Sequence, residues 1–298
     1  MPVSHLLLAV LVAIIWGVNF LFVKMGLEEI LPMQLCALRF VLTSIPAIFF
    51  IRPPKVPFLL VVKYGMVMFV MQFSFFFLGM YAGMAPGMAS LIMQVQVFFS
   101  MFFAAMVLNE KPTVYQVLGA LVSFSGIALV ALHFDKDISF LGFILILAAS
   151  ATWGYGNLIT KQSKQINMIA LVVWGGFVSS FPLIGLSLLF EGYDNLIISY
   201  QHLTWKGVVS VGYIVYASTW VGYGVWNWLL SKYPMGAIVP FTLLVPIFGI
   251  LSSNLVLEEP IQSWKIVASG LVMAGLCINI IVSRWLEARR RLRNASTS

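Results

Sequence analysis

The sequence predicts an all-α polytopic membrane protein, on three observations. Hydrophobic residues make up 61% of the 298 residues and charged residues only 9%, against about 25% in soluble domains. The mean hydropathy is +1.00. Solid apolar runs of roughly 18 or more residues, the length of a membrane helix, recur along the chain. This composition excludes a soluble enzyme, a disordered chain and a secreted disulfide scaffold, because so few charges cannot coat a soluble core.

Ten apolar runs, bounded by charges, prolines and polar clusters, predict ten transmembrane helices. They are helices rather than barrel strands, since an outer-membrane strand has about 10 residues of alternating polarity. We expect the first run to be a retained span and not a cleaved signal, because no basic segment precedes it and it continues for about 20 residues. The predicted spans are 5–25, 32–51, 58–80, 86–108, 113–132, 139–160, 168–190, 207–230, 235–257 and 263–283.

The distribution of Lys and Arg predicts that both termini are cytoplasmic. With the N-terminus inside, most basic residues fall in cytoplasmic segments, five of them in a terminal cluster that begins at Arg284. The net charge of +7 forms no basic stripe with interleaved aromatic residues, so nucleic acid is not an expected partner. The basic residues expected in outer segments are Lys24, Lys136, Lys206 and Lys265.

The two halves of the chain share an internal repeat. Trp16-Gly17 recurs as Trp153-Gly154, 137 positions later, and Leu108-Asn109-Glu110 corresponds to Leu257-Glu258-Glu259 at an offset of 149. The polar loop 191–206 is the natural place for the extra residues. Because each half holds an odd number of spans, five, the halves must insert in opposite directions, and an inverted repeat commonly serves alternating access around a midplane site.

The repeat divides the chain into three predicted segments. The first five-helix repeat covers residues 1–134, the second covers 138–284, and a basic cytoplasmic tail covers 285–298. The fold expected is therefore ten transmembrane helices arranged as two inverted five-helix repeats.

Several short stretches resemble the drug/metabolite transporter superfamily, specifically the EamA family. The resemblance covers nearly the whole chain and implies an exporter with this fold, similar to bacterial inner-membrane exporters of cysteine-pathway metabolites such as O-acetylserine. It does not fix the substrate. The stretches are Trp16-Gly17-Val18-Asn19-Phe20, Ala37-Leu38-Arg39-Phe40, Gly87-Met88-Ala89-Ser90-Leu91 with Gln94-Val95-Gln96, Trp153-Gly154-Tyr155-Gly156-Asn157 and Val221-Gly222-Tyr223-Gly224.

Arg39 is the outstanding candidate for substrate binding. It lies about seven residues into the second span, roughly 10 Å from its outer end, and its guanidinium stays charged. One interpretation is a bidentate anchor for a substrate carboxylate. The alternative is an arginine that reaches the outer interface or binds backbone carbonyls between helices.

Three glutamines lie deep in spans 3 and 4. Gln94 and Gln96 are two residues apart, about 200° around a helix, and cannot both face one cavity. We expect Gln72 and Gln94 to face the lumen and Gln96 to make a helix contact. Hydrogen bonding between helices is the alternative for all three.

Aromatic rings recur beside amides or hydroxyls on one helix face. This pairing suits a zwitterionic metabolite, since the ring excludes water and the polar group binds the charged end. An interfacial aromatic belt is the alternative. The candidate substrate-binding residues of this kind are Trp16, Asn19, Trp153, Tyr155, Asn157, Tyr223, Trp226 and Asn227.

The acidic residues argue against strong proton coupling. No Asp or Glu lies clearly within a span, which favours facilitated efflux or exchange, although a coupling proton or counter-solute stays open. Glu110 and Glu259 each precede a span, where an acid complements the helix N-terminus. A proton-coupling role is the alternative for these two residues. Gly119 with Gly126, and Ala268 with Gly275, are expected packing faces.

No metal, cofactor or catalytic chemistry is expected. Cys36 and Cys277 lie in apolar runs, the three histidines are far apart, and no P-loop, HExxH or GxSxG motif occurs. The leading hypothesis is a secondary transporter that exports amino-acid-like metabolites, with the bilayer as its other partner and no assigned oligomeric state. The alternatives are efflux of amphipathic drugs by the same fold and a non-transporting membrane assembly factor.

Overall fold

A computed structural model describes residues 1–133, 138–162, 167–233 and 238–279. These ranges are helical nearly throughout. Within these described ranges, nine helices are long and apolar enough to cross a membrane, and Ser263–Cys277 is a shorter apolar helix in the tenth predicted position. The helices are α1 Val3–Gly26, α2 Pro32–Ser44, α3 Phe58–Tyr81, α4 Pro86–Leu108, α5 Val114–Ala131, α6 Phe140–Gln162, α7 Met168–Phe190, α8 Tyr193–Gln201, α9 from Trp205 to Lys232, α10 Leu244–Leu257 and α11 Ser263–Cys277.

The predicted spans agree with these helices, with local differences. In the ninth predicted span, 235–257, the 3₁₀ turn Val239–Leu243 precedes the α-helix that begins at Leu244. The second span ends as an α-helix at Ser44, because Pro46 has no N–H to continue it, and a single 3₁₀ turn, Ala47–Phe49, follows. The polar loop 191–206, where the extra residues of the second repeat were placed, contains α8, none of whose residues is buried. The predicted tail 285–298 and the end of the tenth span lie outside the described residues.

Matched backbone irregularities show that the two halves share one fold. A turn at Gln94–Val95 interrupts α4, and the 3₁₀ turn Val239–Leu243 precedes α10 at the equivalent place, 149 residues later. Both α3 and α9 contain a π-helical segment, Met66–Met71 and Tyr213–Gly222. Asn109 and Glu258, also 149 apart, both end a helix with left-handed backbone, at φ 54° and 53°.

The contacts between helices follow a pseudo-two-fold axis that relates the two halves, as an inverted repeat requires. Helix α1 packs against α10 and α9, and its counterpart α6 packs against α4 and α3. The self-related pairs α2 with α7, α4 with α10 and α5 with α11 also pack together. The first helix of each half therefore packs mainly against helices of the other half.

Small residues set the closest approaches at equivalent places. A Cβ on Gly17 would lie 2.7 Å from the carbonyl oxygen of Val245, and a Cβ on Gly154 would lie 2.8 Å from the backbone nitrogen of Ser100. Neither backbone atom can move without its helix. These two glycines let α1 and α6 approach their partners in the same way, and they carry the repeat signal read from the sequence.

The predicted small-residue faces of α5 and α11 do pack against each other. A Cβ on Gly119 would lie 2.6 Å from the carbonyl oxygen of Gly275, and a Cβ on Gly126 would lie 2.8 Å from that of Ala268. Since Gly119 is equivalent to Ala268 and Gly126 to Gly275, the contact is self-complementary about the pseudo-two-fold axis. The prediction of packing faces is confirmed.

At the end of the bundle that carries the α1–α2 loop, two carboxylates cap helices of the opposite half. Glu191, which follows α7, accepts hydrogen bonds from the backbone nitrogens of Met33 and Gln34 at 2.6 and 2.9 Å, in the first turn of α2. Glu29 accepts from the backbone nitrogen of Thr204 at 2.8 Å and from its hydroxyl at 2.5 Å, where α9 begins. The caps satisfy helix donors that lack intrahelical partners.

The pKa values of these two carboxyl groups are shifted in opposite directions. Hydrogen bonding from the Thr204 hydroxyl is the main cause that lowers the pKa of Glu29. Burial raises the pKa of Glu191 despite the hydrogen bonds that oppose it. The stabilisation from Glu29 is therefore present above its ordinary pKa and is lost as the pH falls through the lowered value.

We expect Gly275→Ala to destabilise the protein by about 1–3 kcal/mol, because the new methyl group meets the rigid backbone of α5. The measurement is thermal unfolding in detergent, monitored through tryptophan fluorescence. Gly270→Ala on the same helix is the matched control, since a Cβ there meets nothing within 4 Å. Equal unfolding midpoints for the two variants would contradict close backbone packing between α5 and α11.

We expect Glu191→Ala to lower stability by about 1–2 kcal/mol, because two backbone donors at the start of α2 lose their acceptor. The same unfolding measurement applies. Asp194→Ala is the control, as Asp194 is exposed on α8. An unchanged midpoint for Glu191→Ala would show that this cap contributes nothing to stability.

Candidate functional site: a central cavity

A cavity of about 120 Å³ lies in the middle of the bundle, where both repeats contribute to its wall. Seven of the residues predicted to bind substrate line it, namely Trp16, Asn19, Arg39, Gln72, Gln94, Trp153 and Tyr223. The remaining wall consists of Phe20, Phe73, Phe76, Met93, Gln96, Ser218, Thr242 and Val245. Six of these fifteen residues are aromatic and seven others carry polar side chains, so the wall combines rings with hydrogen-bonding groups, as small-molecule sites do.

Arg39 holds the only positive charge of the described cavity wall and has no carboxylate partner among the described residues. Its side chain is 3% exposed. The guanidinium carbon lies 4.3 Å from the centre of the Phe73 ring and 5.9 Å from that of Phe40. Nε and Nη1 have no hydrogen-bond partner. A cation held by aromatic faces and short of acceptors is suited to bind an anionic group.

Arg39 does not reach the membrane interface. The alternative of an arginine extended to the outer surface does not fit its near-complete burial. The alternative of a bond to backbone carbonyls does not fit Nε and Nη1, which have no acceptor. The position of the side chain is therefore that of a cavity residue.

Amide groups from three helices add donors and acceptors to the wall. Asn19, Gln72 and Gln94 are 7%, 3% and 8% exposed. The Oδ1 atom of Asn19 is buried and accepts no hydrogen bond. An unsatisfied buried acceptor beside an unsatisfied buried cation is the pattern that a bound zwitterion would complete.

The expectation that Gln96 points away from the cavity is wrong. Gln96 lines the cavity together with Gln94. The expectation assumed a continuous helix with 100° between residues, whereas a turn at Gln94–Val95 interrupts α4. Gln96 does also make the expected helix contact, since its Oε1 accepts a hydrogen bond from Asn157 on α6.

Trp16 is held in place by both a ring contact and a hydrogen bond. Its indole nitrogen donates to the carbonyl oxygen of Ser218 at 3.1 Å, within the π-helical segment of α9. Its ring centre lies 5.5 Å from that of Tyr223 and 5.2 Å from that of Trp226. The aromatic pair Trp16–Tyr223 thus forms a rigid part of the wall.

Three predicted substrate-binding residues do not line the cavity. Trp226 lies behind Trp16 and packs against a small apolar cluster of α1 and α9. Tyr155 contacts Phe103, with ring centres 5.4 Å apart, and lies under Lys63. Asn157 lies at a separate pocket. Spacing along a helix shows which residues share a face, but not which neighbour that face meets. The side chain of Asn227 lies outside the described residues.

Sequence reasoning missed the apolar part of the wall. Phe73 and Phe76 belong to a run of phenylalanines in α3 that reads as ordinary membrane helix. One signal was present, since Phe76 lies four residues after Gln72 and so shares its helix face.

The acidic residues that the structure describes lie away from the cavity. Glu259 forms an ion pair with Lys265, at 3.3 Å, and its carboxylate accepts a hydrogen bond from Ser253. It therefore contacts a side chain in the first turn of α11 rather than the backbone donors that capping would use. Glu110 lies beside the pocket that contains Asn157. None of the described cavity residues is acidic.

This fold and cavity define the class of the protein as a polytopic membrane transporter built from two helical repeats. The model of the EamA-like transporter family matches residues 3–132 and again residues 140–281. The chain belongs to this family, and it is a multi-pass membrane exporter and not an enzyme.

Similar proteins have been described in bacteria. The chain is 36% identical to a "Probable amino-acid metabolite efflux pump" of Escherichia coli (strain K12), over 94% of this chain and 96% of the relative. It is also 36% identical to a protein of the same name in Salmonella typhimurium, over 95% and 97% of the two chains. A crystal structure with 16% identity superposes with a TM-score of 0.58, covering 96% of this chain and 99% of the other, and supports the fold alone.

Proposed function

We propose that this protein exports small amino-acid-like metabolites, cysteine-pathway compounds or other amino acids, from the cytoplasm across a bacterial inner membrane by alternating access. In this proposal both termini are cytoplasmic and the repeats occupy residues 1–134 and 138–284. The distribution of Lys and Arg supports the orientation. The names of the two relatives at 36% identity support the solute class.

The observation that carries the proposal is the buried, unpaired Arg39 in the cavity wall. Its guanidinium offers donors to a carboxylate, and the unsatisfied Oδ1 of Asn19 offers an acceptor to an ammonium group. Bidentate binding of a carboxylate by arginine is strong and directional. The aromatic rings of Trp16 and Tyr223 would cover the apolar part of the solute.

The size of the cavity favours small solutes. A volume of about 120 Å³ is well below the roughly 300–1,000 Å³ of pockets that hold drug-sized ligands. An amino acid with a short side chain suits this space better than an extended amphipathic drug. The cationic wall also disfavours lipophilic cations, which would need an acidic partner and would be repelled by Arg39.

The wall favours facilitated efflux or exchange over strict proton antiport. None of its described residues is an acid or histidine that could carry a coupling proton. Efflux measured with and without an imposed pH gradient separates the two modes. A steep dependence of the rate on the gradient would contradict this part of the proposal.

We expect Arg39→Ala to abolish export of carboxylate solutes while the protein still inserts. The variant should still fold, because Arg39 has no ion-pair partner among the described residues that the substitution would leave as an unpaired charge. Arg39→Lys should keep part of the activity, since lysine retains the charge but loses the planar fork. The measurement is efflux from proteoliposomes loaded with radiolabelled cysteine or O-acetylserine.

Arg52→Ala is the matched control, because Arg52 is exposed beyond the end of the second span. It should transport like the parent protein. Normal efflux by a correctly inserted Arg39→Ala variant would rule out Arg39 as the anchor. If no tested solute leaves faster than from protein-free liposomes, the substrate class is wrong.

A further inference from the structure

A second pocket, of about 250 Å³, lies between α4, α5 and α6 at the end of the bundle that carries the α4–α5 loop. Unlike the central cavity, it is lined by both charges. Glu110 and Lys111 lie in the α4–α5 loop at its mouth, and Gln116 on α5 contributes an amide. Asn157 and Ser100 line it from α6 and α4. In the orientation proposed above, the pocket faces the cytoplasm.

Hydrogen-bonded side chains lie between this pocket and the central cavity. The amide nitrogen of Asn157 donates to Oε1 of Gln96 at 2.8 Å and to the hydroxyl of Ser100 at 3.0 Å. Gln96 lines the central cavity, whereas Asn157 and Ser100 line the second pocket. Hydrogen bonds of Asn157 therefore link the wall of the second pocket to Gln96 in the wall of the central cavity.

The internal repeat shows that packing alone does not require this polar pair. The residues equivalent to Gln96 and Asn157 in the other half are Val245 and Phe20, by the offsets of 149 and 137. Both are apolar, and both line the central cavity. The helices that carry the two pairs approach one another in the same way, through Gly154 in one half and Gly17 in the other. The amide pair is thus a specific departure from the symmetry of the fold.

From this arrangement we infer that the second pocket is an entry site for zwitterionic solutes, and that the Asn157–Gln96 hydrogen bond is the gate between it and the central cavity. The inference rests on the proposed direction of transport. Glu110 and Lys111 both line the pocket, so it presents one charge of each sign to the two charged ends of a zwitterion. Because amides exchange hydrogen bonds with a polar solute at little cost, this gate can open to one without stranding unsatisfied groups.

The gate is tested by measuring how fast a thiol reagent labels a cysteine in the central cavity. This measurement requires no transport. The starting protein has Cys36→Ala and Cys277→Ala, and Met93→Cys places one thiol in the central cavity wall. A membrane-impermeant reagent is added to the cytoplasmic face in inside-out vesicles. Adding Asn157→Ala should raise the labelling rate about tenfold, because the loss of two hydrogen bonds favours the open state. Labelling from the outer face should not change.

Thr152→Ala is the matched control on α6, because its hydroxyl binds only carbonyl groups of its own helix. An unchanged rate for Asn157→Ala, or an equal increase for Thr152→Ala, overturns the gate. If Asn157→Ala does not insert, Gln96→Leu removes the acceptor from the opposite side and carries the same expectation. Failure of these tests leaves the efflux measurement untouched, so the gate and the proposed function fail separately.

The solute class is tested with a thiol in the pocket itself. Met101→Cys, in the same cysteine-free background, lines the pocket and leaves the hydrogen bonds of Asn157 intact. At a concentration twice its dissociation constant, L-alanine should slow cytoplasmic labelling about threefold. Glycerol, acetate and methylammonium should protect less, since none carries both charges. Equal protection by all four, or protection by none at high millimolar concentration, overturns the zwitterion site.

Discussion

An unpaired cation among aromatic rings is the constraint on which the centre of this structure depends. Removing the Arg39 guanidinium from water is expensive, and the described residues supply no carboxylate to offset the cost. The faces of Phe73 and Phe40 compensate in part. The surrounding amides keep the cavity polar enough for water or solute to enter. A helix bundle that buries such a group without neutralising it retains a site that an anionic ligand can stabilise.

The pseudo-symmetry of the bundle explains how this site is held open. Small residues bring α1, α6, α5 and α11 into backbone contact with their partners. The turn in α4, the 3₁₀ turn before α10 and the π-helical segment of α9 each contribute residues to the cavity wall. The regular helices α1, α2 and α6 complete the wall with Trp16, Arg39 and Trp153. Irregular backbone is tolerated at membrane depth where it lines a cavity of this kind.

Hydropathy, proline and the repeated Trp-Gly pairs were sufficient to predict the helices and their two-repeat arrangement, because each depends on local composition. The cavity was predictable only in part. Arg39, Gln72 and Asn19 stood out, since polar groups are rare in spans. The position of Gln96 in the cavity wall depends on a break in α4. The sequence does not predict this break, because Gln94 and Val95 are both compatible with a helix. The place of Asn157 depends on which helix α6 meets, and that is a property of the whole bundle.

The exchange of first helices between the repeats has a consequence for how the chain can be divided. Helix α1 packs on the second half and α6 on the first, and the caps from Glu29 and Glu191 cross between the halves in both directions. Most of the helices that pack against each first helix belong to the other repeat. The sequence duplication therefore marks an ancestry and not a boundary between separable parts: a polypeptide cut at the midpoint would yield two fragments that regain their shape only when made together.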